Sequence, residues 1–288
     1  MLICVSIILV SAGSSSDVLA QVSASQLKSV QSRLQNRSFK SKSLGRDMKY
    51  RVWLPAGYAN GTKKYPALYL LHGWSGDETN WSTLTKLAEY ASDLPVIIVM
   101  PDGQNSWYVN SVSDEEEKFE DYLMRDLIEE IEHSWRIVPS REGRAIAGLS
   151  MGGYGAVKEA LKHPEVFQVA ASLSGAFNAG SPELERERAD LRPSLVQAFG
   201  PEHSETRAQN DLFALAQKAD VKATPYLYID CGNQDGSFLE PNRKLVAILS
   251  QRKLVYEYHE FPGVHDWQYW DKRLPAVLNL VRWQLVKE

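Results

Sequence analysis

The chain has 288 residues, of which 44% are hydrophobic and 24% are charged, and its formal net charge is −4 at pH 7. This composition is that of an ordinary globular protein, and the length suffices for one α/β domain with a large core. The acidic balance argues against nucleic acid or an anionic membrane surface as a partner.

The N-terminus has the pattern of a secretory signal peptide. An apolar run over residues 2–10 precedes small polar residues and the Val18-Leu19-Ala20 segment, which suits a signal cleavage site. The run is shorter than the roughly 20 apolar residues that span a bilayer, so stable membrane insertion is not expected. We therefore predict a secreted or periplasmic protein with residues 1–20 removed. Of the two cysteines, only Cys231 would remain, and it is expected to be a buried small residue.

After a linker or edge segment at residues 21–37, the pattern predicts a main domain over residues 38–288. Continuous apolar runs are typical of strands that are buried on both faces of a parallel sheet. The predicted strands cover residues 39–43, 48–54, 67–71, 95–100, 145–149, 169–174, 225–230 and 254–261. The predicted helices cover residues 81–90, a segment from a capping box at Ser113–Glu116 to about Trp135, then 151–163, 194–199, 206–219, 242–251 and the C-terminus.

Residues 148–152, Gly-Leu-Ser-Met-Gly, follow a predicted strand and open a predicted helix. A serine in such a strand–turn–helix context is typical of a nucleophile elbow. Glycine at 148 and 152 would let the chain double back where a Cβ would clash. The motif alone is short enough to occur by chance, so the rest of the chain must supply the other catalytic groups.

A serine hydroxyl needs an imidazole to accept its proton, and the imidazole needs a carboxylate to orient it. His265 follows the last predicted strand, whereas His259 lies within that strand. Asp235 follows the preceding strand, whereas Asp230 lies within it. Glu240 and Asp266 are the remaining candidates for the acid. The order Ser150, Asp235, His265 is that of an α/β-hydrolase triad.

The loop at His72-Gly73-Trp74 follows a buried strand and is predicted to supply one amide of an oxyanion hole. The backbone amides of Trp74 and Met151 are the predicted donors, and His72 is expected to hydrogen-bond within its loop.

Aromatic residues lie in loops that should reach the carboxyl edge of the sheet, where such folds bind ligands. Trp107 and Tyr108 are candidates to line a substrate pocket, although packing that anchors the loop explains them equally well. Trp267 is a third candidate, with a core position as its alternative. The charged segment at about residues 177–223 is predicted to form a short helical cap. No cofactor is expected, and no metal site, because the acidic cluster near residue 115 has no His or Cys at ligand spacing.

Three blocks resemble the esterase D-type branch of the α/β-hydrolases: YPALYLLHG at residues 65–73, GLSMGG at 148–153 and HDW at 265–267. That branch includes S-formylglutathione hydrolases, feruloyl, acetyl-xylan and tributyrin esterases, and mycolyltransferases. The resemblance covers about residues 39–286. It implies an α/β-hydrolase catalytic domain, with a mostly parallel central sheet and helices on both faces. It assigns the nucleophile to Ser150, the acid to Asp235, the base to His265 and the oxyanion amides to Trp74 and Met151.

The sequence therefore predicts a secreted serine carboxylesterase that acts on short-chain, aryl or carbohydrate-linked esters. The alternatives are an acyltransferase of the mycolyltransferase type and a thioesterase similar to S-formylglutathione hydrolase. A third alternative is a non-catalytic binding module on the same fold, against which the serine, acid and histidine all speak.

Overall fold

The computed structural model describes residues 32–287. Its strands, in chain order, are β1 (Leu34–Lys40), β2 (Asp47–Trp53), β3 (Ala67–Leu71), β4 (Ile97–Pro101), β5 (Arg144–Leu149), β6 (Val169–Leu173), β7 (Tyr226–Gly232) and β8 (Tyr256–Phe261). They form one eight-stranded sheet in the order β1-β2-β4-β3-β5-β6-β7-β8. The pairs from β4 to β8 are parallel, and β1 and β2 add an antiparallel edge. The predicted mostly parallel sheet is confirmed.

Helices cover both faces of this sheet. They are α1 (Asn80–Leu84), α2 (Leu87–Tyr90), α3 (Phe119–Asp121, a π-helical turn Tyr122–Leu127, and Ile128–Ser134), α4 (Met151–Lys162), α5 (Pro182–Glu187), α6 (Arg192–Phe199), α7 (Glu205–Gln209), α8 (Leu212–Lys218), α9 (Leu239–Arg252) and α10 (Trp267–Leu285). One apolar layer joins the sheet to α3, α4, α9 and the segment between β6 and β7. The other joins it to α1, α2 and α10.

The register of the parallel strands brings their carboxyl ends together. Leu71 in β3 pairs with Gly148 in β5, and Leu149 in β5 pairs with Leu173 in β6. Leu173 in turn pairs with Asp230 in β7. The loops that follow β3, β5, β6 and β7 therefore start side by side at one edge of the sheet.

The predicted helix at 81–90 is wrong as one element, because it is divided into α1 and α2. At the break, Thr85 is extended with φ −131° and ψ 170°. Its Oγ1 accepts a hydrogen bond from the Leu87 amide at 3.2 Å, and the Lys86 amide donates to Asp271 Oδ1 at 2.7 Å. These side chains satisfy amides that a continuous helix would have used.

The predicted capping box at Ser113–Glu116 is also wrong, because α3 begins only at Phe119. The Ser111 hydroxyl, rather than Ser113, accepts from the amides of Ser113 and Asp114 at 3.1 Å each. Asn110 Oδ1 accepts from the Asp121 amide at 3.1 Å and so supports the first turn of the helix from outside.

Two smaller differences concern element bounds. The first strand starts at Leu34 rather than residue 39, so part of the predicted linker or edge segment lies in the edge strand β1. The helix predicted at 206–219 is divided into α7 and α8 because Asp211 caps a new helix. Asp211 Oδ1 accepts hydrogen bonds from the amides of Phe213 and Ala214.

The predicted signal peptide lies outside the described residues. Within residues 32–287, no helix has both the length and the apolar character needed to cross a membrane.

Candidate active site

Ser150 lies between β5 and α4 in a strained backbone conformation, with φ 51° and ψ −117°. Such values are uncommon outside glycine and persist only where the surroundings hold them. The flanking glycines explain how the turn fits. A Cβ on Gly148 would lie 2.4 Å from the backbone of Gly152, and a Cβ on Gly152 would lie 2.5 Å from the carbonyl oxygen of His72. The turn is therefore packed backbone against backbone.

Three side chains from separate loops meet at this turn. His265, after β8, places Nε2 at 2.9 Å from Ser150 Oγ and Nδ1 at 2.8 Å from Asp235 Oδ2. Asp235, after β7, is 1% exposed, and Ser150 is 8% exposed. The buried carboxylate, the imidazole and the hydroxyl thus form one continuous hydrogen-bonded line.

Two aromatic side chains hold the His265 ring in this line. The ring lies 4.7 Å from that of Phe238 and 4.9 Å from that of Trp270, centroid to centroid, with the Trp270 contact edge to face. Phe238 follows Asp235 in the loop before α9. No sequence motif marks its contact with His265. Only the fold reveals this contact.

The other acid and base candidates have partners elsewhere. Asp230 is fully buried and accepts from Tyr228, Tyr269 and Arg273, the last at 2.6 Å. His259 Nε2 lies 2.6 Å from Glu257 Oε1 on the same strand. Of the remaining candidates for the acid, Glu240 pairs with Arg243 and Asp266 caps α10 through the Tyr269 amide.

The loop of Gly73 and Trp74 lies directly against the serine. A Cβ on Gly73 would lie 3.5 Å from Ser150 Cβ. Met151 is the first residue of α4, where a helix leaves its N–H groups without partners within the helix. The loop of Gly73 and Trp74 and the start of α4 therefore border Ser150 from two sides.

His72 fastens this loop to the loop after β4. The Gly103 amide donates to His72 Nε2 at 2.8 Å, so Nδ1 carries the proton and donates to the Gly73 carbonyl at 2.8 Å. The ring is 1% exposed, and burial lowers the pKa of His72, which favours the neutral form that these bonds require. His72 thus bonds within its loop, as expected.

A cleft of about 480 Å³ opens over Ser150 and His265. Its walls are largely aromatic or aliphatic, with Arg188 as a cationic group in the lining. The wall residues include Trp74, Trp107, Leu191, Phe238 and Trp267.

Of the predicted pocket residues, Trp267 lines this cleft, Trp107 borders it with only 1% of its surface exposed, and Tyr108 does not reach it. Tyr108 is fully buried, and its hydroxyl donates to the His72 carbonyl at 3.1 Å. A Cβ on Gly103 or on Gly155 would meet its ring within 3 Å. Tyr108 therefore anchors the loop, which was the alternative explanation.

A larger cleft of about 830 Å³ lies between the β6–β7 segment and α9. Its lining residues, among them Phe213, Glu240 and Lys244, do not include Ser150 or His265. The volume of a cleft therefore does not identify the site. The position of the hydrogen-bonded line of Ser150, His265 and Asp235 identifies it.

Cys231 is buried, as expected, at the end of β7. Burial and the nearby Asp235 carboxylate raise the pKa of its thiol. A thiol held in the protonated form is a poor nucleophile. Its Sγ lies 3.9 Å from Asp235 Oδ2, a weak contact with the acid of the hydrogen-bonded line.

One group of metal-ligand side chains comes together among the described residues: Glu120, Glu159 and His163, with ligand atoms within 4.8 Å of one another. The ammonium groups of Lys158 and Lys162 already lie among these atoms, each within 2.8 Å of Glu120. The group is therefore a buried ion-pair cluster. His163 is one-third exposed and also belongs to this cluster.

The sequence profile of the Putative esterase family matches residues 41–280. An acetyl esterase of Caldicellulosiruptor saccharolyticus is 31% identical over 222 residues, which cover 75% of this chain and 82% of that protein. An endo-1,4-beta-xylanase/feruloyl esterase of Xylanibacter ruminicola is 35% identical over 155 residues, which cover 49% of this chain and 21% of that protein.

Among solved structures, the fluorophosphonate-binding serine hydrolase FphF of Staphylococcus aureus superimposes with a TM-score of 0.76 and 27% identity. The match covers 88% of this chain and 98% of FphF. The resemblance noted in the sequence is therefore confirmed. The chain belongs to the Putative esterase family and is a serine hydrolase of the α/β-hydrolase fold that acts on carboxylic esters.

Proposed function

We propose that this protein hydrolyses short-chain, aryl or carbohydrate-linked esters through an acyl-enzyme on Ser150, with His265 as the base and Asp235 as the orienting acid. The observation that carries the proposal is the pair of short contacts on the His265 ring, 2.9 Å to Ser150 Oγ and 2.8 Å to Asp235 Oδ2. Both lie within the distance needed for proton transfer and for orientation of the base.

In the first half-reaction, Ser150 Oγ attacks the ester carbonyl while His265 Nε2 accepts its proton. The carbonyl oxygen gains negative charge and binds the amides of Trp74 and Met151, which stabilise it. The C–O bond to the alcohol then breaks as His265 returns the proton to the leaving oxygen. In the second half-reaction, water attacks the acyl carbonyl while His265 Nε2 accepts its proton. His265 then returns the proton to Ser150 Oγ as the bond between Oγ and the acyl carbon breaks, and the acid is released.

Asp235 has two tasks in this scheme. Its carboxylate accepts a hydrogen bond from the Nδ1–H of His265, so Nε2 is left free to take the serine proton. It also stabilises the positive charge that forms on the ring. The carboxylate is nearly completely buried, and low solvent exposure strengthens this interaction.

The walls of the cleft support this substrate class. Trp74 and Trp267, which are partly exposed, offer flat faces on which an aromatic ring or a sugar can pack. The names of the matched acetyl esterase and feruloyl esterase agree with a short acyl group or an aryl ester. The segment between β6 and β7 would act as the cap, because it supplies Arg188 and Leu191 to the cleft.

The test is to replace Ser150 with Ala and measure hydrolysis of p-nitrophenyl acetate and butyrate. We expect turnover to fall to background while the circular dichroism spectrum is unchanged, since Ser150 is the nucleophile. Ser134→Ala, on the exposed surface of α3, is the matched control and should retain full activity. A fluorophosphonate probe should label the wild type and Ser134→Ala but not Ser150→Ala. Turnover in Ser150→Ala near the wild-type rate would overturn the proposal.

A further inference from the structure

Ser194, in the first turn of α6, lies at the meeting point of three chain segments. Its Oγ accepts hydrogen bonds from Trp74 Nε1 at 3.0 Å and from Trp107 Nε1 at 3.1 Å. The same hydroxyl donates to the Leu191 carbonyl at 2.9 Å. A serine hydroxyl has one donor and two acceptor lone pairs, so these three bonds use its full capacity.

The two indoles come from different loops at the carboxyl edge of the sheet. Trp74 follows β3 and belongs to the loop that lies against Ser150, and Trp107 belongs to the loop after β4. Both line the cleft over the serine. Ser194 comes from the segment between β6 and β7, so a single hydroxyl joins that segment to both walls of the site.

The loops that Ser194 joins are held in uncommon backbone conformations. Trp107 has φ 58° and Ser75, next to Trp74, has φ 61°. A non-glycine residue with such φ values persists only where surrounding contacts determine its conformation. The hydrogen bond of each indole to Ser194 is one such contact. Another is the Ser75 amide, which donates to Asn105 Oδ1 at 2.7 Å.

We propose that Ser194 is a positioning residue for ester hydrolysis, which fixes the Trp74 loop so that its amide meets the developing oxyanion. This proposal rests on the function proposed above. An amide that must point at a charge present only in the transition state has little effect on substrate binding. Loss of the Ser194 hydroxyl should therefore lower kcat more than it changes KM.

The central experiment compares Ser194→Ala with Ser194→Thr, which retains a hydroxyl, on p-nitrophenyl acetate. We expect Ser194→Ala to lower kcat about tenfold, less than the 10²–10³-fold typical of a deleted oxyanion donor, with KM within about twofold of wild type. Ser194→Thr should recover most of the lost kcat. Ser181→Ala is the matched control, since Ser181 caps α5 in the same segment through the Leu184 amide. It should lose stability but keep kcat.

A double-mutant cycle shows whether the effect passes through Trp74. Trp74→Phe removes the indole N–H but keeps an aromatic ring in the cleft wall. If Ser194 acts by holding Trp74, the effects of Ser194→Ala and Trp74→Phe on kcat should not add. Trp74→Phe alone also tests the link if Ser194→Ala folds poorly. Full additivity, or no loss of kcat in Trp74→Phe, would overturn the proposal.

The outcomes also distinguish the role of Ser194 from the esterase mechanism on which it rests. Wild-type kcat in Ser194→Ala, with Ser150→Ala inactive, would overturn the role of Ser194 and leave the esterase mechanism standing. Activity in Ser150→Ala would overturn the mechanism itself. A kcat loss in Ser181→Ala equal to that in Ser194→Ala would show a general effect of segment stability and would also count against Ser194.

Discussion

At the scale of single residues, two aspartates five positions apart near the end of β7 have different environments. Asp230 faces the layer of α10 and accepts from Tyr228, Tyr269 and Arg273. Asp235 lies in the following loop and bonds His265 Nδ1 at 2.8 Å. Both carboxylates are at most 1% exposed, so burial alone does not distinguish them. Their partners support a structural role for Asp230 and the proposed catalytic role for Asp235.

Replacing each aspartate with asparagine should separate these roles. Asp235→Asn presents a donor to His265 and favours the wrong tautomer, so we expect kcat to fall about 10³–10⁴-fold with little change in Tm. Asp230→Asn leaves the guanidinium of Arg273 without its carboxylate. Because removing one partner of a buried ion pair costs about 3–5 kcal/mol, we expect a lower Tm and a retained kcat. Steady-state kinetics and thermal unfolding of the two variants check both expectations. The reverse pattern would contradict the assignment of the acid.

At the scale of elements, α4 carries both the serine turn and a buried charge cluster. Its first turn lies against β3 through glycines, and its later turns bury Lys158 and Glu159 completely. Lys158 Nζ lies 2.6 Å from Glu159 Oε1, but neither Glu159 oxygen accepts a well-aligned hydrogen bond. Burial therefore outweighs the attraction of Lys158 and raises the pKa of Glu159 to about 7.

Glu120 behaves in the opposite way within the same cluster. Burial alone would raise its pKa, but Lys158, His163 and Lys162 outweigh burial and lower it. The Glu120 carboxylate, 3.7 Å from His163 Nε2, raises the pKa of His163. The shared charges thus keep Glu120 ionised and favour a proton on Glu159.

This cluster predicts a pH-dependent stability that Glu159→Gln should remove. Between pH 4.5 and about 7, folded Glu159 retains a proton that the unfolded chain has lost, so stability from this group falls as pH rises. At about 1.4 kcal/mol per pKa unit, the effect is at most about 3.5 kcal/mol. The Tm of Glu159→Gln relative to wild type should therefore increase from pH 5 to pH 8, as measured by thermal unfolding.

The control is Glu165→Gln, whose carboxylate is largely exposed on the turn after α4, 3.9 Å from His163. It should leave the pH dependence of Tm close to that of wild type. Equal Tm differences at pH 5 and pH 8 for Glu159→Gln would contradict the raised pKa.

At the scale of the whole molecule, one sheet edge gathers the functional loops. The strands from β3 to β8 run parallel with matched ends, so their following loops converge although Ser150 and His265 are 115 residues apart. This arrangement is the general reason that open α/β sheets bind ligands at the carboxyl ends of their strands.

The whole chain is also predicted to be exported. Expressed from residue 1 in a bacterial host, the protein should appear in the periplasm or medium with an N-terminus near residue 21, because the apolar run would engage the secretion machinery. Cell fractionation with N-terminal sequencing checks this, and a variant with two aspartates placed in residues 2–10 is the control that should remain inside. Retention of the unchanged chain in the cytoplasm with residues 1–20 intact would contradict the export prediction.

The sequence by itself determined the parallel sheet, the serine turn and the order of the acid and base. These features follow from local patterns: apolar runs of strand length, glycines where backbones cross, and polar residues placed just after strands. The sequence did not predict where α3 starts or that two of the predicted helices are divided. These bounds are decided by side chains such as Ser111, Thr85 and Asp211, which compete for backbone amides.

Only the tertiary structure decided which aromatics serve the site and what holds its loops. Trp107 and Tyr108 are adjacent in the chain and both at most 1% exposed, yet only Trp107 borders the cleft, whereas the Tyr108 hydroxyl donates to the His72 carbonyl. Phe238 and Ser194 carry no motif, and they gain their contacts with His265 and Trp74 only when distant segments meet. Such contacts depend on side-chain directions across the fold, and the local pattern of a sequence does not encode those directions.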